Sequence, residues 1–205
     1  MRLLGLDKDC FSTWWAKLPE GSTMVVQPKI DGCAIGLRYK YGQLVNAYTR
    51  KNMEIIENIR TISSIPLSID DSLKVEVELE GVLYTPTSKI NFPDHKSPSN
   101  SNQGNKTNSP LSFLALQIFC SNSDELSDLT QLQNWGFEVP ITLRTDDPRQ
   151  VKRWHTQWRN KELFSNFPTN GIVAKCNSFS TKNFLGVSSS SPNWALALTR
   201  QFCNR

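Results

Sequence analysis

From Met24 onward, apolar positions gather in short runs separated by polar turn residues. MVVQPKI, CAIGLRYKY and QLVNAYTR are β-branched or aromatic stretches divided by Asp31-Gly32 and by Tyr41-Gly42, the pattern of three strands joined as a meander by tight turns. The pattern changes over MEIIENIRTI, where Ile55, Ile59 and Ile62 recur at helical spacing and Pro66 closes the segment, so a short helix is expected there. LKVEVELEGVLY alternates strictly, with Val75, Val77 and Leu79 on a core face and Glu76, Glu78 and Glu80 on an acidic one.

Residues 91–109 hold almost no large apolar side chains and read as a polar loop. LSFLALQIF resumes the fold as a buried strand. Ser123 is placed to cap a helix in which Leu126, Leu129, Leu132 and Trp135 form an apolar stripe, with Gly136 as its stop. A second helix is expected after Asp147 and Pro148, burying Val151, Trp154 and Trp158; their helical spacing makes these tryptophans core rather than stacking platforms for bases. GIVAKC and NWALALTRQ complete the strands, and FSTWWAKLPEG can form a short capping helix. The class is α+β, antiparallel sheets with packed helices.

Composition narrows the picture modestly. A chain of 205 residues with 38% apolar content supports one domain with a real core, here residues 24–205 after a short N-terminal segment 1–23. The net charge of +4 permits contact with phosphates without announcing nucleic acid. The five cysteines are scattered without a Cys-x-x-Cys pair and with only His95 and His155 beside them, which argues against a disulfide framework or zinc site and for reduced thiols in a cytoplasmic protein. Cys33 and Cys176 read as small buried hydrophobes. No run of apolar residues approaches a membrane span.

The chemistry begins at QPKIDGCAIGLRY. Asp31-Gly32 suits a hairpin turn, beside which Lys29 would be a solvated side chain; alternatively, Lys29 is a nucleophile in a pocket shaped by that turn. A Lys-x-Asp-Gly match arises by chance in about 5% of chains this long, so the motif alone does not decide. Further segments arrive in order: YTR ending at Arg50, NIRTISSIPL, LEGVLYTP, NWGFEVP, NGIVAK and SPNWALAL. This series, from about Met24 to Phe202, resembles the adenylation domain of the bacterial NAD-dependent DNA ligases.

The resemblance implies an ATP-grasp-like nucleotidyltransferase fold and an enzyme that carries AMP on Lys29, in the service of DNA repair and replication. An amine can attack the α-phosphorus and form a phosphoramidate, but at an ordinary lysine pKa near 10.4 only about 0.04% is neutral at pH 7. A neighbouring cation and partial burial lower that barrier. By resemblance Lys175 supplies the cation and reaches the phosphate; otherwise it is a strand-end lysine extending to solvent. Lys29, Asp31 and Lys175 are thus the catalytic candidates, and Gly32, Arg50, Glu80 and Gly171 the nucleotide-binding ones. Gly32 is expected to let backbone approach the ligand, and Trp194 to serve the core. The implied cofactors are NAD or ATP with Mg2+, held by Glu80. The implied partners are an adenine nucleotide, nicked DNA or another nucleic acid, and a protein supplying domains that this stretch lacks; no membrane is implied. The residues before Met24 are too few for the segment that recognises the nicotinamide half of NAD.

Several positions depart from the family pattern. The loop after Arg50 is about four residues shorter. The carboxylate strand carries Glu80 before Gly81, with Val82 where the acid belongs; roughly 6.6 Å away on the same face, Glu80 either reaches a metal or ribose or remains a solvated acid. Ser99 stands for an arginine, Asn170 for an aspartate and Thr199 for a lysine. Losing one electrostatic stabiliser commonly costs ~10²- to 10³-fold in rate, so a catalytically impaired module that binds nucleotide, nucleic acid or protein without nick sealing is the alternative, a pseudoenzyme.

Overall fold

The computed structural model describes residues 3–6, 10–70, 76–86, 111–189 and 191–200. The expected polar loop at 91–109, Val75 and Ser99 lie outside these residues. Two four-stranded antiparallel sheets organise the described chain. Sheet A runs β6 (Leu143–Thr145), β1 (Met24–Ile30), β7 (Thr169–Cys176), β8 (Ala195–Leu198), and sheet B runs β3 (Gln43–Thr49), β2 (Cys33–Lys40), β4 (Glu76–Tyr84), β5 (Ser112–Ile118). Five helices accompany them: α1 (Phe11–Trp15), α2 (Ile56–Ile59), α3 (Glu125–Asn134), α4 (Pro148–Arg159) and α5 (Phe179–Leu185). The expected α+β class is observed.

The expected meander is only half present. Tyr41 and Gly42 both have positive φ, 50° and 74°, and close a two-residue hairpin between β2 and β3. Asp31-Gly32 closes no hairpin. β1 pairs with β7 and β6, whereas β2 pairs with β3 and β4, so the chain crosses from sheet A to sheet B at this dipeptide. A Cβ on Gly32 would stand 2.2 Å from the Leu83 carbonyl oxygen, so the missing side chain admits the backbone of β4. Gly32 thus serves the close approach of β4, and it also borders the cleft described below.

The two faces of sheet A divide by residue parity. Met24, Val26, Ile172, Ala174, Cys176, Leu196 and Leu198 pack beneath Phe11 and Trp14 of α1 and Val151 and Trp158 of α4. Asp147 caps α4 by accepting from the Arg149 amide at 2.9 Å, with Pro148 in the first turn, as expected. Trp154 is only partly buried, and His155 takes a buried place on the same helix.

Sheet B covers a second core of Ile35, Leu37, Leu79, Phe113 and Ala115 against Leu129 and Leu132 of α3 and Trp135 at its C-terminal cap. The helix expected over Met53–Ile62 shrinks to the single turn of α2. Glu54 bridges to Tyr48 and the Ile55 amide donates to the Ala47 carbonyl, so β3 holds the start extended. Ile59 and Ile62 are nevertheless buried, joined by Ile65. α3 starts at Asp124 rather than Ser123: Asp124 is its cap residue, but its carboxylate accepts from the Phe179 amide instead of from its own helix. The helix stops as expected at Gly136 (φ 89°), with the Phe137 and Gly136 amides donating back to the Leu132 and Gln133 carbonyls.

Candidate active site

The inner face of sheet A carries the residues of opposite parity. In the β1/β7 register Val25 faces Lys175, Gln27 faces Val173 and Lys29 faces Gly171. Partners in an antiparallel pair point to the same side, so both lysines project from one face, four residues apart along β7 or about 13 Å. Facing them across a cleft of about 1090 Å³ are Glu80, Val82, Leu116 and Gln117 of sheet B, with Asp31, Arg50 and Trp194 also on its walls. A large concavity with a few convergent charged groups is the expected shape of a small-molecule site.

Lys29 stands at the open end. Its Nζ donates to Asn170 Oδ1 at 2.5 Å, and Asn170 Nδ2 donates to Asp31 Oδ1 at 3.3 Å, in exposed surroundings. Asn170 therefore links two of the expected catalytic residues. Gly171 makes room for this arrangement: a Cβ there would lie 3.3 Å from Lys29 Cδ and 2.6 Å from the Leu198 carbonyl oxygen. Arg50 is exposed at the rim, donating from Nη2 to the Leu4 carbonyl at 3.0 Å.

Lys175 occupies the closed end and is no snorkelling surface lysine. Its side chain is 8% exposed, and its Nζ donates to Glu125 Oε1 at 2.6 Å and to the Leu116 carbonyl at 3.1 Å. Leu116 is skipped in the β4/β5 register, where Glu80 pairs with Gln117 and Gly81 with Ala115; this bulge turns a strand carbonyl towards the lysine. The other oxygen of Glu125 accepts from Lys182 Nζ at 2.9 Å. Burial works against the charged form of Glu125, but Lys175 and Lys182 together hold its carboxyl below the ordinary range.

Glu80 accepts from Gln117 Nε2 at 2.8 Å. Burial raises its pKa, with Lys175 and then Arg50 pulling the other way, so it is a partly desolvated acid of the cleft rather than a solvated one. Val82 lines the same wall. Thr199 does not line the cleft; its carbonyl meets His155 Nε2 at 2.9 Å. Trp194 packs against the sheet A core and also stands 5.3 Å from Lys182 Nζ, a core and wall residue at once. Cys176 is buried as expected, and burial pushes its thiol up to about 12. Cys33 is not: it opens β2 just past the sheet crossover and is exposed in the cleft wall.

Six of the seven expected site residues, Lys29, Asp31, Gly32, Arg50, Glu80 and Lys175, thus border one cleft, and Gly171 is the cross-strand partner of Lys29 beside it. Glu125, Lys182, Asn170 in its bridging role, β6 and α5 escaped the sequence reading. Glu125 sits in the first turn of α3, where an acidic residue is common, and NSFSTKNFLGV shows too little apolar periodicity to announce a helix.

Two antiparallel sheets flanking a cleft, with a lysine at its open end and a buried lysine rising from one face of the same sheet, make the nucleotidyltransferase fold of polynucleotide ligases. An archaeal ATP-dependent RNA ligase superposes with a TM-score of 0.60 at 12% identity, covering 97% of this chain and 48% of that one. The ATP-dependent DNA ligase of bacteriophage T7 gives 0.56 at 11% identity, covering 95% and 67%. The sequence then specifies the branch: residues 7–110 and 108–201 match the family profile of the NAD-dependent DNA ligase adenylation domain, and the chain belongs to that family. A DNA ligase of Prochlorococcus marinus is 30% identical over 211 residues, 85% of this chain and 31% of the relative. One from Mycoplasma genitalium is 32% identical over 194 residues, 84% of this chain and 29% of the relative. The chain therefore spans about a third of the length of these curated relatives.

Proposed function

We propose that the cleft binds an adenine nucleotide, NAD or ATP, and that Lys29 takes its AMP. The observation carrying this reading is that Lys29 and Lys175 rise from one face of sheet A into a single cleft with Asp31, Arg50 and Glu80 on its walls. Neutral Lys29 Nζ attacks the α-phosphorus. The bond from phosphorus to the bridging oxygen breaks, pyrophosphate leaves ATP or nicotinamide mononucleotide leaves NAD, and the now cationic nitrogen gives one proton to solvent to leave the phosphoramidate. Asn170 orients the amine without adding a negative charge to it. Lys175 offsets charge developing on the phosphate.

Among the described residues no group of three or more His, Cys, Asp or Glu is arranged to hold a metal. Mg2+ in nucleotide sites commonly needs only one or two carboxylates together with substrate phosphates, and Glu80, the acid of the β4 wall, would be that ligand. When bound, the ion would neutralise phosphate charge. The acceptor of AMP is a nucleic-acid 5′-phosphate on this reading, with nicked DNA the first substrate to offer.

Incubation with Mg2+ and adenine-labelled NAD or ATP should leave label on the protein, and Lys29→Ala should abolish it. Absence of label from both nucleotides would sink the adenylation reading. One observation favours a second reading, a binding module without nick sealing: Lys175 is already engaged by a buried carboxylate, and Val82, Asn170 and Thr199 stand where charged groups are expected. Calorimetric binding of ATP or NAD without label transfer would select it.

A further inference from the structure

Lys175 alone makes a poor phosphate seat. Paired with Glu125 at 2.6 Å, it would present a neutral ion pair to an incoming anion. The structure adds a second cation to the same carboxylate. Lys182, from α5, lines the cleft with a side chain 13% exposed, and Glu125 engages one lysine with each oxygen. Two lysines on one carboxylate leave that three-residue group with one net positive charge.

The cluster is held from several directions. The Glu125 amide donates to the Asn177 carbonyl at 2.8 Å, the Leu126 amide to Asn177 Oδ1 at 3.1 Å, and the Phe179 amide to Asp124 Oδ1 at 2.8 Å. These bonds tie the start of α3 to the segment joining β7 and α5. The Trp194 ring lies against the Lys182 ammonium. An ammonium has three donors; the described hydrogen bonds use two on Lys175 and one on Lys182, which leaves donors for a ligand. Asp128, hydrogen-bonded by Ser121, and Glu80 are the other acids near the cluster.

We propose that Lys182 is a second phosphate-binding cation of the nucleotide cleft, and that Glu125 is the positioning residue that aims both lysines at a nucleoside polyphosphate. The inference rests on the nucleotide reading above and adds to it a second cation beside Lys175. Lys182 contacts the phosphates beside Lys175, and Glu125 contacts only the lysines.

Calorimetry with ATP and with adenosine separates phosphate recognition from general damage to the cleft. Lys182→Met should weaken ATP binding about tenfold or more and leave adenosine binding unchanged, since one charge-assisted contact is lost. Lys182→Arg should retain most of the ATP affinity. Glu125→Gln should weaken ATP selectively as well, and Lys182→Met placed on that background should cost less than it does alone, because the second lysine is no longer aimed. Equal ATP affinity in native protein and Lys182→Met, or parallel losses of ATP and adenosine, overturns this inference and leaves the nucleotide reading standing. Native protein that binds neither compound overturns both.

Discussion

The two ends of the cleft hold their lysines in opposite ways. Lys29 is half-buried and donates to the neutral amide of Asn170 in a solvent-exposed hydrogen bond, whereas Lys175 is buried against a carboxylate that a second lysine shares. A nucleophile must shed a proton and move onto phosphorus, so a neutral partner in an open setting suits it. A phosphate seat must keep its charge and its aim, and a buried, hydrogen-bonded cluster supplies both. On the proposed reading, the same residue type on the same sheet face is directed to different chemistry by what packs around it.

The comparison breaks most sharply at Glu125. Glu125→Ala leaves two buried ammonium groups without their counter-charge, and loss of one partner from such a cluster typically costs about 3–5 kcal/mol. The urea midpoint should fall accordingly, while Lys29→Ala, an exposed contact, should change it by less than about 0.5 kcal/mol. Acid should act on the closed end in the same sense. Because the folded-state pKa of Glu125 is lowered from its ordinary 4.5, its contribution is fully present above that value and is lost as pH falls through the lowered one. The stability gap between native protein and Glu125→Gln should therefore narrow in acid; a gap independent of pH between 5 and 2 would contradict the assignment.

Much of this arrangement was legible in the residues because it depends on pattern. Short β-branched and apolar runs pointed to β1, β2 and β7, strict alternation to β4, and the ordered segments to Lys29 and Lys175, which border one cleft. Other features depend on contacts between distant segments. Asp31-Gly32 has the chemistry of a hairpin turn, and only the pairing of β2 with β4 makes it a sheet crossover. Glu125 and Lys182 are 57 residues apart, and neither carries a local signal that the other will be its partner. Ile55, Ile59 and Ile62 announced a helix because their spacing marks burial, which they achieve mostly through turns. The sequence thus reveals which residues are buried more readily than how the backbone buries them.

Gly171 tests the open end with a smaller effect. An added methyl would press on the Leu198 carbonyl of β8 at 2.6 Å and on Lys29 Cδ at 3.3 Å. Gly171→Ala should cost about 1–3 kcal/mol, as overpacking does. It should also slow label transfer to Lys29 while leaving ATP affinity at the closed end nearly intact. Equal losses in both would mean that the two ends are not separable.

Asn170→Asp gives the finest test, because it changes one atom and one charge. Asn170 spans Lys29 and Asp31, accepting from the first and donating to the second. A carboxylate at this position can still accept from Lys29 but cannot donate to Asp31, so the two acids repel and Asp31 loses its tether. The added negative charge favours the ammonium form of Lys29, the form that cannot attack. In this exposed setting the pH profile of label transfer should move to the alkaline side by on the order of half a unit to one unit, with little change at its plateau. A shift to the acid side would show instead that the new carboxylate removes the proton from Lys29, and that a neutral neighbour is not what prepares this lysine to react.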